Sequence, residues 1–420
     1  MKKINNKKEN IINSILLTSG YYCLDKYMKE DQNLYALVLC DEEFVPHDLL
    51  YKERIFFLTD NSTEGIIKKI ESIPIDFLFL LCIDDKFMDK IDEIKKELNL
   101  FSYLIDGPIA RDKYILKQKM NEFGIRYPKT IQASNLKELK DFIEEIAYPV
   151  IAKPSNSYGS NGVYLVNNKE ELREYAKSIF NRNRFQNKYF GDDKGFLLVE
   201  EYISGEEFAV DIIWNDGLPK NKMISSRIHA KNTSMFPDYV YYYDCRLEDN
   251  MKEKIYSFAE AVGRMVGIKN GATHTEMREK NGVLYILENA VRPGGGGCMY
   301  YLHQFHSHQP YFKNYCKTMK GLSFEFNPFE KTSERYYFFM TYPNEKSGIV
   351  KEMSFDYLSL DKNIEIFSVD FLIKLGEKII PSDISMRYTM FVYGAISASC
   401  KEEFEEKIED VYNACTLEID

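Results

Sequence analysis

Glu276 and Glu288 fall on two apolar runs, Thr273-His274-Thr275-Glu276-Met277 and Tyr285-Ile286-Leu287-Glu288-Asn289-Ala290-Val291-Arg292-Pro293, with Gly282 in a tight turn between them. A hairpin sets these two carboxylates side by side, and close like charges at apolar strand ends repel unless a cation lies between them. Oxygen donors of this kind suit magnesium, which takes few protein ligands and completes its shell with substrate phosphates. A surface pair of glutamates is the bland alternative. It ranks lower because both residues are embedded in apolar sequence.

Two further constellations precede this one. Lys153-Pro154-Ser155-Asn156-Ser157-Tyr158-Gly159-Ser160-Asn161-Gly162-Val163 reads as a lysine at the end of a strand, a loop of small residues, and a second strand. Glycines let backbone N–H groups approach phosphate oxygens, and the lysine supplies a compact cation for the same charge. An ordinary hairpin turn explains the loop about equally well on its own. Leu198-Val199-Glu200-Glu201-Tyr202-Ile203-Ser204-Gly205-Glu206-Glu207-Phe208-Ala209-Val210-Asp211 joins two strands through an acidic connector. Glu200 and Glu207 could serve the edge of an adenine and the hydroxyls of a ribose, while a solvated charge cluster is the competing explanation. Arg227, His229 and Lys231 lie between this connector and the paired glutamates, where they could meet substrate carboxylates or phosphates, or simply be surface charge. His303, His306 and His308, with Cys298 and Cys316 nearby, invite a zinc reading, but histidines packing a helix beside the site are more ordinary.

The elements that must hold these groups follow from the spacing of apolar residues. From Ile15 to about Ile105, short apolar runs at Ser14–Thr18, Leu34–Leu39, Arg54–Leu58 and Phe77–Cys82 alternate with charged segments such as Ile91–Leu98, the pattern of a small βα domain with a parallel sheet. Ala110 to Tyr114 opens a helix that Gly124 can end. Strands are expected at Pro149–Lys153, Gly162–Val166, Phe196–Val199, Phe208–Trp214 and Val283–Leu287, helices at Lys169–Phe180 and Glu402–Asn413, and further β structure from Tyr336 onward. The expected units are 1–105, 106–330 with a lid subdomain at roughly 130–205, and 331–420.

Composition narrows the function classes. The 420 residues, 45% hydrophobic and 14% aromatic, describe a multidomain globular protein rather than a disordered one. A net charge of −10 leaves no broad basic surface for nucleic acid or anionic membranes. Phe77 to Ile83 is strand-sized and too short to span a bilayer, the Lys-rich start lacks a signal-peptide core, and the eight scattered cysteines read as reduced thiols, so a cytoplasmic protein is expected.

Taken together, the lysine helix, the lysine strand with its glycine loop, the acidic hinge and the paired-glutamate hairpin resemble the ATP-grasp superfamily, over about residues 106–300. The resemblance implies an α/β (α+β) ATP-grasp fold with an N-terminal βα (pre-ATP-grasp) domain and a small C-terminal β-rich domain. Lys113 and Lys153 then look like the nucleotide-phosphate lysines, and Ser157, Gly159, Ser160 and Gly162 like the mobile loop over the phosphates. Glu200, Glu201 and Ile203 resemble the adenine hinge, and Glu207 the acid near the ribose. Glu276 and Glu288 match the magnesium ligands, and Arg292 the arginine that neutralises the transferring phosphate and the oxyanion, with backbone amides of Gly294, Gly295 and the two glycines after them beside it. His274 and Arg227 are candidates for substrate contact.

One departure is informative. Many relatives have Asn two residues after the second glutamate, as a third metal ligand; here Ala290 stands there. That arrangement, with His274-Thr275-Glu276, is similar to the L-amino-acid (dipeptide) ligases. The implied activity is ATP-dependent joining of a carboxylate, activated as an acyl phosphate, to an amine. Its cofactors are ATP and two Mg²⁺ ions, with Mn²⁺ as a substitute, and its substrates are amino acids. The rival readings are an acyl-carrier protein as acceptor and an ATP-binding module without chemistry. A homodimer is in keeping with the family.

Overall fold

The computed structural model describes every residue except 1–11, 21–22, 40–49, 105–108, 110–111, 156–159, 161, 186–195, 231–237, 326–334 and 381–386. The first unit runs β1 (Ser14–Thr18), α1 (Leu24–Glu30), β2 (Leu34–Leu39), β3 (Ile55–Leu58), α2 (Thr63–Glu71), β4 (Phe79–Cys82) and α3 (Ile91–Glu97). Its four strands form a parallel sheet in the order β3-β2-β1-β4. The runs Ile15 to Leu17 and Leu80 to Cys82 are buried completely, as strands covered on both faces must be.

The second unit opens with α4 (Lys113–Glu122), whose N-cap Asp112 accepts hydrogen bonds from the backbone N–H of Tyr114 and Ile115, and which runs out at Gly124 with φ 66°. There follow β5 (Thr130–Ala133), α5 (Leu136–Glu145), β6 (Val150–Pro154), β7 (Tyr164–Val166), α6 (Lys169–Phe185) and β8 (Leu197–Glu201). These strands make a separate antiparallel sheet, β5-β8-β6-β7, with its own apolar core around Leu139, Ile143, Leu172 and Ile179.

The large sheet has eight strands in the order β13-β12-β9-β10-β11-β14-β18-β16. Its first part is β9 (Glu207–Asn215), β10 (Leu218–Ile228), β11 (Val240–Tyr243), then α7 (Asp249–Val266), β12 (Gly271–Lys280) and β13 (Val283–Ala290). The turn joining β12 to β13 has φ 54° at Asn281 and 78° at Gly282, so both central residues are left-handed, as the tightest hairpin turns require. Helices α8 (Cys298–Ser307) and α9 (Tyr311–Met319) follow, and the chain then re-enters the same sheet. Strands β14 (Tyr336–Asn344), β16 (Ile364–Phe371) and β18 (Arg387–Ile396) extend it, while β15 (Gly348–Phe355), β17 (Lys378–Ile379) and β19 (Cys415–Ile419) make a small sheet beside α10 (Lys401–Asn413). The segment beyond residue 330 is therefore β-rich as expected, and three of its strands are hydrogen-bonded into the central sheet.

One apolar core joins the first unit to the central sheet. Tyr27 of α1 meets Phe312 of α9 edge-on at 4.7 Å, and the Tyr315 hydroxyl donates to the Cys82 carbonyl at 2.9 Å. The single tryptophan, Trp214 on β9, is fully buried, and its indole N–H donates to Thr273 Oγ1 at 2.9 Å. Gly263 of α7 lies flat against that ring: a Cβ there would sit 2.1 Å from it. Among the described residues, no helix is long and apolar enough to cross a membrane.

Candidate active site

The β5-β8-β6-β7 sheet and the large sheet line a shared open cleft, with about 1190 Å³ of empty space when the solvent at its mouth is included. Lys113, Lys153, Ser160, Glu200, Glu201, Ile203, Glu207, Arg227, His274, Glu276, Glu288, Arg292 and Gly295, all named from sequence, line it. Gly162 and Gly294 stand just behind its wall. Gly162, at φ 70°, ends the loop before β7 and accepts a hydrogen bond from Tyr175, and Gly294 is packed on His274. Ser157, Gly159 and Lys231 lie outside the described residues.

Register sets the carboxylate pair. On β12 and β13, Glu276 pairs directly with Glu288, and a bulge follows Glu276. Both remain partly open, with side chains 23% and 31% exposed. Burial would raise the Glu276 carboxyl, but the His274 hydrogen bond and the Arg227 charge outweigh it and hold the group below its usual range. Glu288 Oε1 meets Lys113 Nζ at 3.1 Å. A hard divalent cation fits this donor set: two carboxylates, all-oxygen, both partly open. Among the described residues no three His, Cys, Asp or Glu side chains converge as a closed metal cage, so substrate or water oxygens would complete the shell.

Around this pair three clusters of charge organise the cleft. At one end, Glu200 on β8 is 2% exposed and ion-paired with both Lys117 of α4 and Lys153 of β6, the latter at 2.9 Å. Burial works against the Glu200 charge, yet the two ammonium groups hold its carboxyl below the usual range. One carboxylate serving two lysines leaves one of them short of charge, and burial pulls Lys117 down to about 8. On the floor, Glu207 accepts from Arg227 Nη1 at 2.8 Å and from Arg278 Nε at 2.7 Å, with His229 Nε2 at 3.0 Å. Arg227 also reaches Asp238 at 2.6 Å, and Arg278 donates to the Ile203 carbonyl at 2.9 Å. At the far end, Arg292 is ion-paired with Asp85 from the first unit and donates to its neighbour's carbonyl, that of Pro293, at 2.9 Å.

Apolar side chains complete the walls. The apolar lining includes Pro128, Ile151, Val163, Tyr202 and Leu287, with Ile151 paired to Glu200 in the sheet register, and also Tyr241, Met299 and Phe339. The Ile203 carbonyl is taken by Arg278, so what Ile203 can offer a base edge is its N–H.

Sequence reasoning missed Lys117, Arg278, Asp211, Asp238 and Asp85. Lys117 stands one helical turn after Lys113, and Arg278 two strand positions after Glu276, so both periods carried a signal. Asp85 meets Arg292 across 207 positions of chain, which no local pattern reports. The histidines are not grouped as a metal site: His303 Nε2 bonds Asp211 at 3.1 Å, while His306 packs against Tyr243 with ring centroids 3.6 Å apart and planes tilted by 37°.

Residues 146–300 match the ATP-grasp domain family. The chain is 26% identical to dapdiamide A synthase of Enterobacter agglomerans over 200 residues, 47% of this chain and 46% of that protein, so it spans less than half of that relative. It is 28% identical to a D-alanine–D-alanine ligase of Pelagibacter ubique over 263 residues, 58% of this chain and 80% of that one. Among solved structures, an L-amino acid ligase from Bacillus licheniformis superimposes with a TM-score of 0.80 at 19% identity, covering 99% of this chain and 100% of that one.

Proposed function

This chain carries an ATP-grasp domain on the ATP-grasp fold, and from that premise we propose that it is an ATP-dependent carboxylate–amine ligase, joining amino acids through an acyl phosphate. The observation that carries the reading is the direct cross-strand pairing of Glu276 with Glu288 beside Lys113, in a cleft that Lys153 and Arg292 also line. Relatives and structural neighbours that are C–N-bond-forming ligases support it.

In this reading the adenine enters the slot between Ile151, Val163, Tyr202 and Leu287, against the Ile203 N–H and the Glu201 edge. Lys113 and Lys153 hold the phosphates, with Ser160 and Gly162 in the loop that covers them. Glu207, already bonded to two arginines, acts first as the clamp that sets Arg227 and Arg278. A ribose hydroxyl there shares its oxygens. Magnesium, when bound at Glu276 and Glu288, neutralises phosphate charge and aligns the transferred group.

The substrate carboxylate oxygen attacks the γ-phosphorus and ADP departs. The amine nitrogen then attacks the acyl carbon, phosphate leaves, and the proton shed by nitrogen ends on that phosphate. Arg292 faces the charge that develops on the acyl oxygen, together with the backbone amides of the glycine run. Tyr241, Met299 and Phe339 exclude water that would hydrolyse the intermediate.

The test is ADP release with ATP and Mg²⁺ over single amino acids, amino-acid pairs and small acids, with Glu288→Ala as control. Release that requires an amino-acid pair and disappears in the variant supports the reading. Release that requires a loaded carrier protein moves the acceptor to that protein. Tight ATP binding with silence throughout returns the chain to a nucleotide-binding module.

A further inference from the structure

Asp211 sits in the middle of β9, 1% exposed, and the register of the sheet puts it directly opposite His274 on β12. Its oxygens hold three groups from three separate elements. Oδ1 meets His274 Nδ1 at 3.1 Å and the Gly294 N–H at 3.2 Å, and Oδ2 meets His303 Nε2 of α8 at 3.1 Å. An ionised carboxylate can only accept, so each of these atoms donates and His274 Nδ1 carries a hydrogen. The other ring nitrogen, Nε2, then faces the cleft, 3.5 Å from Glu276 Oε1.

We propose that Asp211 is a positioning residue for the reaction centre: it aims His274 at Glu276 and pins the glycine run that follows Arg292. The inference rests on the ligase reading of this cleft and adds to it a residue that touches no substrate.

Three observations bear on it. A lone carboxylate in a sheet core is costly unless fully bonded, and here burial is opposed by two imidazoles that hold the Asp211 carboxyl well below its usual range. Packing alone would be served by an apolar residue, as Ala209 and Ile213, which share its face of the strand, are. Gly294 is also packed on the pair itself: a Cβ there would lie 2.6 Å from His274 Nδ1 and 2.8 Å from Asp211 Oδ1. Its φ is not in the left-handed region, so glycine is needed at 294 for close approach to the Asp211–His274 pair. Glu276 and the glycine run are thus referenced to one buried atom group.

The experiment uses the full chain and Asp211→Asn, which keeps size but replaces one acceptor oxygen by a donor. Histidine ¹⁵N labelling of the nucleotide-free protein reads the ring N–H groups directly. The wild type is expected to show protected His274 Nδ1–H and His303 Nε2–H signals, and the variant to lose them. In ADP release, kcat is expected to fall by about 10–100-fold and the half-saturating Mg²⁺ concentration to rise by about tenfold, with KM for ATP little changed. Loss of the ring signals with unchanged kcat and Mg²⁺ dependence would overturn the proposal and leave the ligase reading standing. If the wild type releases no ADP with any substrate, the ligase reading fails; Mn²⁺ binding to the ADP complex, measured by calorimetry, still decides whether Asp211 positions Glu276. Should Asp211→Asn fail to fold, His303→Gln, which keeps a donor toward Oδ2, is expected to retain activity and His303→Leu to lose it several-fold. Equal, wild-type-like activity in both would equally overturn the proposal.

Discussion

Glu200 is one negative charge between two buried ammonium groups, and the imbalance makes its partners unequal. Removing the carboxylate strands Lys117 and Lys153 together in the core, while removing Lys117 leaves a balanced Lys153–Glu200 pair. Glu200→Gln is therefore expected to cost about 3–5 kcal/mol in urea unfolding, and Lys117→Met much less. Comparable losses in both variants would show that Lys117 contributes packing rather than surplus charge. Lys117 also has a use in the proposed chemistry: when an arriving phosphate draws Lys153 away, Glu200 keeps a partner and stays ionised.

At the scale of elements, the connector after β8 and strand β12, which carries Glu276, are coupled where they touch. Gly205, at φ 116°, lies so close to β12 that a Cβ would stand 2.0 Å from the Glu279 carbonyl oxygen, and Glu279 N–H in turn donates to Glu206 at 3.0 Å. Gly205→Ala is expected to destabilise by about 1–3 kcal/mol and to raise KM for ATP, because the hinge must lift off the strand. A variant with wild-type melting and KM would refute that coupling. Helix α8 has a different sensitivity. Burial on Tyr243 and Tyr337 pushes His306 down to about 3, so the folded protein keeps it neutral while the unfolded chain protonates it near pH ~6.5. Between those values the unfolded state binds the extra proton, and stability falls with falling pH by up to ~1.4 kcal/mol per unit. His306→Phe is expected to flatten that acid limb in chemical-denaturation curves taken from pH 7 to pH 4; an unchanged slope would assign it to other groups.

Much of this scale was legible in the chain. Ser14–Thr18 and Leu34–Leu39 have the bounds expected from their apolar runs, because strands buried on both faces read as near-continuous apolar runs, here with Ser14 and Thr18 only at the ends of the first. The hairpin followed from the turn at Gly282, but the register of that turn alone leads to Leu287 opposite Glu276; the bulge beside Glu276 brings Glu288 there, and no local pattern reports it. The long helix Asp249–Val266 was passed over, although Ile255, Ala259, Val262 and Val266 repeat at helical spacing. The strands after Tyr336 were visible as strands, but their membership of the central sheet was not. Ladder partners such as Tyr243 and Tyr337 are chosen by tertiary packing, which a local apolar pattern does not encode.

For the whole molecule, the first unit does more than flank the site. Asp85 reaches Arg292 from the short turn after β4, and Tyr27, Tyr315 and Cys82 lock that unit against α9. Asp85→Asn removes the charge that fixes the Arg292 guanidinium while leaving the nucleotide end untouched. ADP release is expected to fall by about 10²-fold at saturating ATP with nucleotide affinity retained; weakened ATP binding with unchanged kcat would place Arg292 at the nucleotide instead.

The lone indole at Trp214 gives this chain a built-in fluorophore. It is fully buried, bonded to Thr273, the residue before His274, and wedged against Gly263. Emission from every molecule thus comes from a single dry place in the central sheet, blue while that sheet is intact and red-shifted when water reaches it. Melting of the β5-β8-β6-β7 sheet alone leaves this colour unchanged. A comparison of fluorescence with circular dichroism during unfolding therefore separates loss of that smaller sheet from loss of the sheet that carries the carboxylates, with no label attached.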